Sequence, residues 1–181
     1  MPKKKAGSPS DQALHRLFGG KKLTGADRKI VKEAAESVID GFMKAVGYDD
    51  PSERADEHGW RHLQLESAEG VAGITESEGE LYLHVEAVVM PLPSDGDLIQ
   101  PLMREALEFN CKLPGICSLG IRGTRLVASA TENLRKLESA EALADCIHTV
   151  MALANTIDDE WQKKYAGSTR KRTKSVDLAT A

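Results

Sequence analysis

The sequence predicts an α+β fold with the element order α-β-β-β-α-β-β-α, in which a mostly antiparallel five-strand sheet is packed with helices. Three observations carry it. Apolar residues recur every three to four positions between Thr24 and Gly47, alternate with polar ones from Leu81, and return to helical spacing from Leu143 to Trp161. A sheet with one apolar face has to be covered, so these strands and helices belong in layers of one domain.

Thr24, followed three residues later by Asp27, reads as a capping box opening the first long helix. Its apolar positions Ile30, Val31, Ala34, Ala35, Val38, Phe42 and Val46 run to a stop near Gly47. The stretch YDDPSERADEHG is polar and interrupted by proline, and reads as a loop or a single turn. Strands follow at Arg61 to Ser67, Val71 to Thr75 and Leu81 to Met90, with a turn at Glu78, Gly79 and Glu80. In the third strand Leu81, Leu83, Val85, Ala87 and Val89 line one face. Tyr82, His84 and Glu86 line the other, until Val88 and Met90 make both faces apolar. Pro91 and Pro93 remove ladder donors and end the strand.

Ser94 or Asp95 caps a second helix over residues 97 to 111, with Pro101 in its first turn. Its core stripe is Ile99, Leu102, Met103, Ala106, Leu107 and Asn110, and Leu98 and Phe109 widen the apolar arc to about half the circumference. That is more than one sheet needs, so Leu98, Leu102 and Phe109 are candidates for a homodimer interface. Ile116 to Ile121 and Arg125 to Thr131 form a hairpin around Arg122, Gly123 and Thr124. The last helix runs from near Ser139 to about Tyr165, with Leu143, Ile147, Val150, Ala154, Ile157 and Trp161 at helical spacing.

At 181 residues the chain suits a single domain. Residues 1–23 read as an N-terminal extension, partly disordered, with room for one short helix over Ser10 to Gly20; residues 24–166 read as the domain. Residues 167–181 read as a basic disordered tail, because such Gly, Ser, Thr and Lys/Arg stretches cannot offset their ordering entropy by burial. Residues 10 to 166 hold 17 Lys/Arg and 27 Asp/Glu, a balance of −10, and the remaining 7 Lys/Arg and 1 Asp/Glu restore the total to −4. An acidic body repels nucleic acid and suits a basic partner. The alternative is a regulatory nucleic-acid-binding protein that uses the basic tails, Arg170 to Lys174 above all. No stretch approaches the ~18 uninterrupted apolar residues of a membrane span, and Lys3 to Lys5 lead into polar sequence, so a cytoplasmic protein is expected.

Leu107, Asn110, Leu113 and Pro114, then the hairpin of Ile116 to Thr131, then Leu143 to Trp161 resemble the bacterial YbjN family and, more distantly, the type III secretion chaperones. The resemblance covers roughly residues 26 to 166. It implies a non-enzymatic protein-binding module in a chaperone or regulatory role, and a homodimer joined through the second helix. Residues 1 to 23 and the basic tail lie outside the pattern.

Candidate chemistry is sparse. His58 and His62 stand at H-x3-H, but Gly59 and the strand at Arg61 argue against a shared helix face, and no third ligand is near, so no metal is expected. Cys111, Cys117 and Cys146 have no C-x-x-C spacing and read as small packing residues. GIRG lacks the lysine and the third glycine of the phosphate-binding loops. No catalytic residue and no cofactor are expected. The partner-binding candidates are Tyr82, His84, Val88 and Met90, on the strand face opposite the Leu81 to Val89 stripe, where a purely solvated face would carry fewer apolar residues.

Overall fold

The computed structural model describes residues 24–165 apart from positions 114 and 138, so the N-terminal extension and the basic tail lie outside the described residues. Within that span three helices and five strands follow the expected order: α1 (Gly25–Ala45), β1 (Arg61–Leu65), β2 (Ala68–Ser77), β3 (Glu80–Pro91), α2 (Gly96–Asn110), β4 (Ser118–Arg122), β5 (Arg125–Asn133) and α3 (Ala140–Tyr165). A 3-10 turn over Pro51–Arg54 interrupts the α1 to β1 connection, and a second over Leu134–Lys136 leads into α3.

Local chemistry explains the boundaries. The Thr24 hydroxyl accepts from Asp27 N–H and the Asp27 carboxylate accepts from Thr24 N–H, completing the capping box of α1. Asp95, not Ser94, caps α2 by accepting from Asp97 N–H at 3.0 Å. Helix α2 starts one residue earlier than expected, at Gly96, which puts Pro101 beyond the first turn, where its missing N–H forfeits one helical bond. The β2 to β3 hairpin turns on Glu78 (φ 52°) and Gly79 (φ 76°), the paired positive φ of a tight hairpin.

The sheet is antiparallel throughout, in the order β1-β2-β3-β5-β4, with β3 at its centre. Cross-strand partners share a face. Leu63 with Gly70, Ala72 with Val85 and Ala130, and Leu83 with Ile74 point inward, where α3 lies across the middle of the sheet. Gly70 makes that approach possible: a methyl there would overlap the Glu86 carbonyl and stand 2.7 Å from Met151 Sδ. Helix α1 lies beside α3, held to inner-face strand residues by Arg28–Glu76 (3.1 Å) and by Arg61–Asp40 (3.0 Å). Helix α2 attaches at the β4 end, with Phe109 edge-on to Trp161 at 5.9 Å and Glu105 bonded to Lys164 and Tyr165.

The core corrects the sequence reading at several positions. Ile30 is 45% exposed and Leu107 61% exposed, whereas Ile39 and Met43, absent from the expected α1 stripe, are completely buried. Helix α1 therefore turns its Val31, Ala35, Ile39, Met43 line inward, an i, i+4 row that runs slightly askew to the helix axis. Asn155 and Asp158 of α3 hold the β1 to β2 turn from the other side: Ser67 N–H and hydroxyl donate to Asn155 Oδ1 at 3.1 and 2.7 Å, and the buried Asp158 carboxylate lies 2.8 Å from the same hydroxyl.

Candidate functional site

The outer face of the sheet is built by alternation. Because Leu81, Leu83, Val85 and Ala87 point to the helices, Tyr82, His84, Glu86 and Val88 must point away, and register places Val71, Gly73 and Thr75 of β2 and Val127, Ser129 and Thr131 of β5 beside them. Among the described residues no helix crosses this face. Tyr82, His84 and Val88 are half-buried there. Met90 is not part of it. The β3–β5 register shifts between Val88 and Met90, and this bulge turns Met90 inward opposite Leu126, where it is completely buried. Strict alternation from Leu81 would have kept it outside, which is why the sequence reading placed it with Tyr82.

Trp60, which the sequence reading passed over, is the aromatic centre of the face. It precedes β1, and its indole carbons stand 3.0 Å from where a Gly73 Cβ would be, so the ring rests on the sheet backbone itself. It meets the His84 ring edge-to-face, centroids 5.3 Å apart. The available signal was Gly73, a glycine inside a strand, which often marks the close approach of another group.

His84 also anchors a polar cluster. Its Nδ1 is 2.8 Å from Thr131 Oγ1 and its Nε2 is 3.9 Å from Glu86 Oε2, and Arg122 pairs with the same carboxylate. Burial first, and then the neighbouring Arg122 charge, hold the imidazole below its ordinary pKa, with Glu86 opposing. To reach Glu86 from the end of β4, Arg122 passes the row of Gly120, Val127 and Val88, and Val127 on this row is buried.

Each edge strand of the sheet is capped at particular residues by the chain itself. On β1, Tyr48 Oη accepts from Gln64 N–H at 2.7 Å, and Ala55 bridges Arg61. On β4, the Asn110 amide bonds both backbone groups of Leu119. Caps on an edge strand count against partners that add a strand there and favour partners that dock on a face.

The dimer candidates are arranged differently from the expectation. Leu102 is completely buried in the chain's own core, and Leu98 and Phe109 are half-buried against it. Leu107 lies about 140° from Leu102 around the helix, so burial of Leu102 turns it outward. Ile116, which precedes β4, and Ile121 within β4 are also exposed, at 41% and 45%.

The remaining polar candidates stay apart. Among the described residues no three His, Cys, Asp or Glu side chains converge as a metal site. His58 is exposed beside Glu57, and His62 projects from β1. Cys117 and Cys146 are buried and Cys111 is exposed; burial, with Cys117 and Glu132 nearby, pushes the Cys146 thiol up to about 11. A shallow depression of about 420 Å³ between α2 and α3 is lined by Pro101, Glu105, Phe109, Lys112 and Lys164. No helix among the described residues is long and apolar enough to cross a membrane.

No family model matches the chain, and no curated protein matches it in sequence. Solved structures do. A chain of the ExsC-ExsE complex superposes with a TM-score of 0.52 at 17% identity, covering 77% of this chain and 98% of that one. The HopA1-SchA chaperone-effector complex gives 0.49 at 15% identity, over 68% and 92%. The Yersinia pestis type III secretion chaperone SycH, in complex with a fragment of YscM2, gives 0.45 at 14%, over 68% and 98%. At such identities the likeness concerns the fold alone, an α+β arrangement shared with the chain of the ExsC-ExsE complex.

Proposed function

We propose that this chain is a non-enzymatic, chaperone-like protein that holds a segment of a partner polypeptide on the outer face of its sheet. The observation that carries the reading is the distribution of cover: three helices lie on one side of the sheet or at its end, while Trp60, Tyr82 and Val88 stand half-buried on the other. Half-exposed aromatic and aliphatic side chains among charged neighbours are the composition of a protein-binding surface. The ExsC-ExsE neighbour, solved as a complex of two proteins, supports the same reading. Within it we place the chain as YbjN-like and cytoplasmic, with a chaperone or regulatory role, on the strength of the Leu107, Asn110, Leu113 sequence and the hairpin that follows.

The chain works as a homodimer in this reading, joined through α2 as first expected. The proposed contact residues move from Leu98, Leu102 and Phe109 to Leu107 of α2 together with Ile116 and Ile121, large apolar side chains left exposed.

Co-purification from the native cell tests partner binding. Val88→Asp on the outer face is expected to abolish recovery of the partner with the melting temperature unchanged. Recovery equal to that of the unaltered chain rejects the site. If removal of residues 1–23 or 166–181 is needed before any partner is captured, the chain's own end is the occupant.

A further inference from the structure

The outer face carries one cluster of titratable groups that partner binding leaves unexplained: His84, Glu86 and Arg122 beneath and beside Trp60. We infer that Trp60 is a pH-operated cover, closed on Gly73 while His84 is neutral and opened when His84 takes up a proton. The geometry of the closed state is specific. The indole rests on the Gly73 backbone and meets the His84 ring at 5.3 Å with the planes at 82°. The side chains of His84 and Glu86 are only 20% and 15% exposed, so little water reaches them.

A proton on His84 places a second cation against a carboxylate whose charge Arg122 already answers. The groups facing the imidazole are Glu86 on its own strand, Arg122 from β4, Thr131 from β5, the Gly73 backbone of β2, and Trp60. Of the charged groups only Glu86 favours the protonated ring, while burial and Arg122 oppose it. An imidazolium short of water is relieved by hydration. Trp60 is the group whose displacement admits that water at least cost, because turning its side chain breaks no bond of the strand ladder. Opened, the indole joins Tyr82 and Val88 in presenting apolar surface to solvent. The cover is a property of the free chain, and its test requires no partner.

Tryptophan emission is recorded from pH 8 to pH 5 as the difference between the unaltered chain and Trp60→Phe, so that the contribution of Trp161 cancels. The expected result is a red shift with greater quenching by acrylamide on acidification, at a single midpoint below ~6.5. Glu86→Gln, which removes the group favouring the proton, lowers the midpoint, and Arg122→Gln raises it. The step vanishes in His84→Gln, and the imidazole resonances of His84 titrate with the same three midpoints in the chains that retain it. No step, a step that survives in His84→Gln, or one midpoint shared by the Glu86 and Arg122 variants overturns the inference.

Discussion

The side-chain amide of Asn110 closes the free edge of β4 by bonding one residue twice: it donates to the Leu119 carbonyl at 3.0 Å and accepts from the Leu119 N–H at 2.7 Å. One side chain of α2 thereby stands in for the next strand of the sheet and fixes the helix to its edge. Asn110→Ala leaves both backbone groups without these partners and is expected to cost about 1 to 3 kcal/mol. Chemical denaturation checks the figure. Unchanged stability would show that water replaces the amide without loss.

The two strand glycines that face close neighbours should respond unequally to a methyl group. Gly70→Ala drives its methyl into the Glu86 carbonyl and toward Met151, both held inside the core, and is expected to lose at least 1 to 3 kcal/mol. At Gly73 the neighbour is the ring of Trp60 on the outside of the sheet, which has room to give. Gly73→Ala should therefore cost less and shift the tryptophan emission to the red. Equal losses in thermal melts, with no spectral change at Gly73, would contradict the placement of Trp60.

Leu107 and Phe109 are neighbours in sequence with opposite expected behaviour. Leu107→Asp puts a charge on an exposed position and is expected to leave circular dichroism unchanged while converting a dimer to a monomer in light scattering. Phe109→Ala removes a ring packed on Trp161 and should lose about 3 kcal/mol in stability. A wild-type chain that is monomeric at micromolar concentration removes the dimer.

Stability should fall on mild acidification through His84. Its folded pKa lies below the ordinary value, so the folded chain binds this proton less readily than the unfolded one. The contribution is complete above the unfolded value of ~6.5 and is lost as pH falls through the lowered folded value. Melting temperatures measured from pH 7.5 to pH 5 should decline more steeply for the unaltered chain than for His84→Gln. Parallel curves would mean that the ring is hydrated in the folded state.

The elements whose sequence signal is periodic were legible, and the positions set by tertiary contact were not. Thr24 and Asp27 announce α1, the Leu81 to Ala87 alternation announces β3, and the glycine at 123 announces a hairpin, because each signal lies within a few residues of its effect. Met90 escapes such reading because a bulge depends on how β3 meets β5. Leu107 and Ile39 escape because the rotation of a helix about its axis is decided by what it packs on. Trp60 escapes because its partner, Gly73, is on another strand. Tyr82, His84 and Val88 were found on the outer face because they precede the bulge.

The bulge also sets the footprint of anything that lies along β3. Upstream of it the outer side chains Tyr82, Glu86 and Val88 keep a common direction; beyond it Met90 has gone inward and Pro91 ends the strand. The floor from Tyr82 to Val88 measures about 20 Å at 3.3 Å per residue. That length accommodates roughly four turns of helix or an extended segment of about seven residues. A single extra residue in one strand thus acts as a ruler, and it sets the size of a segment that the face can hold.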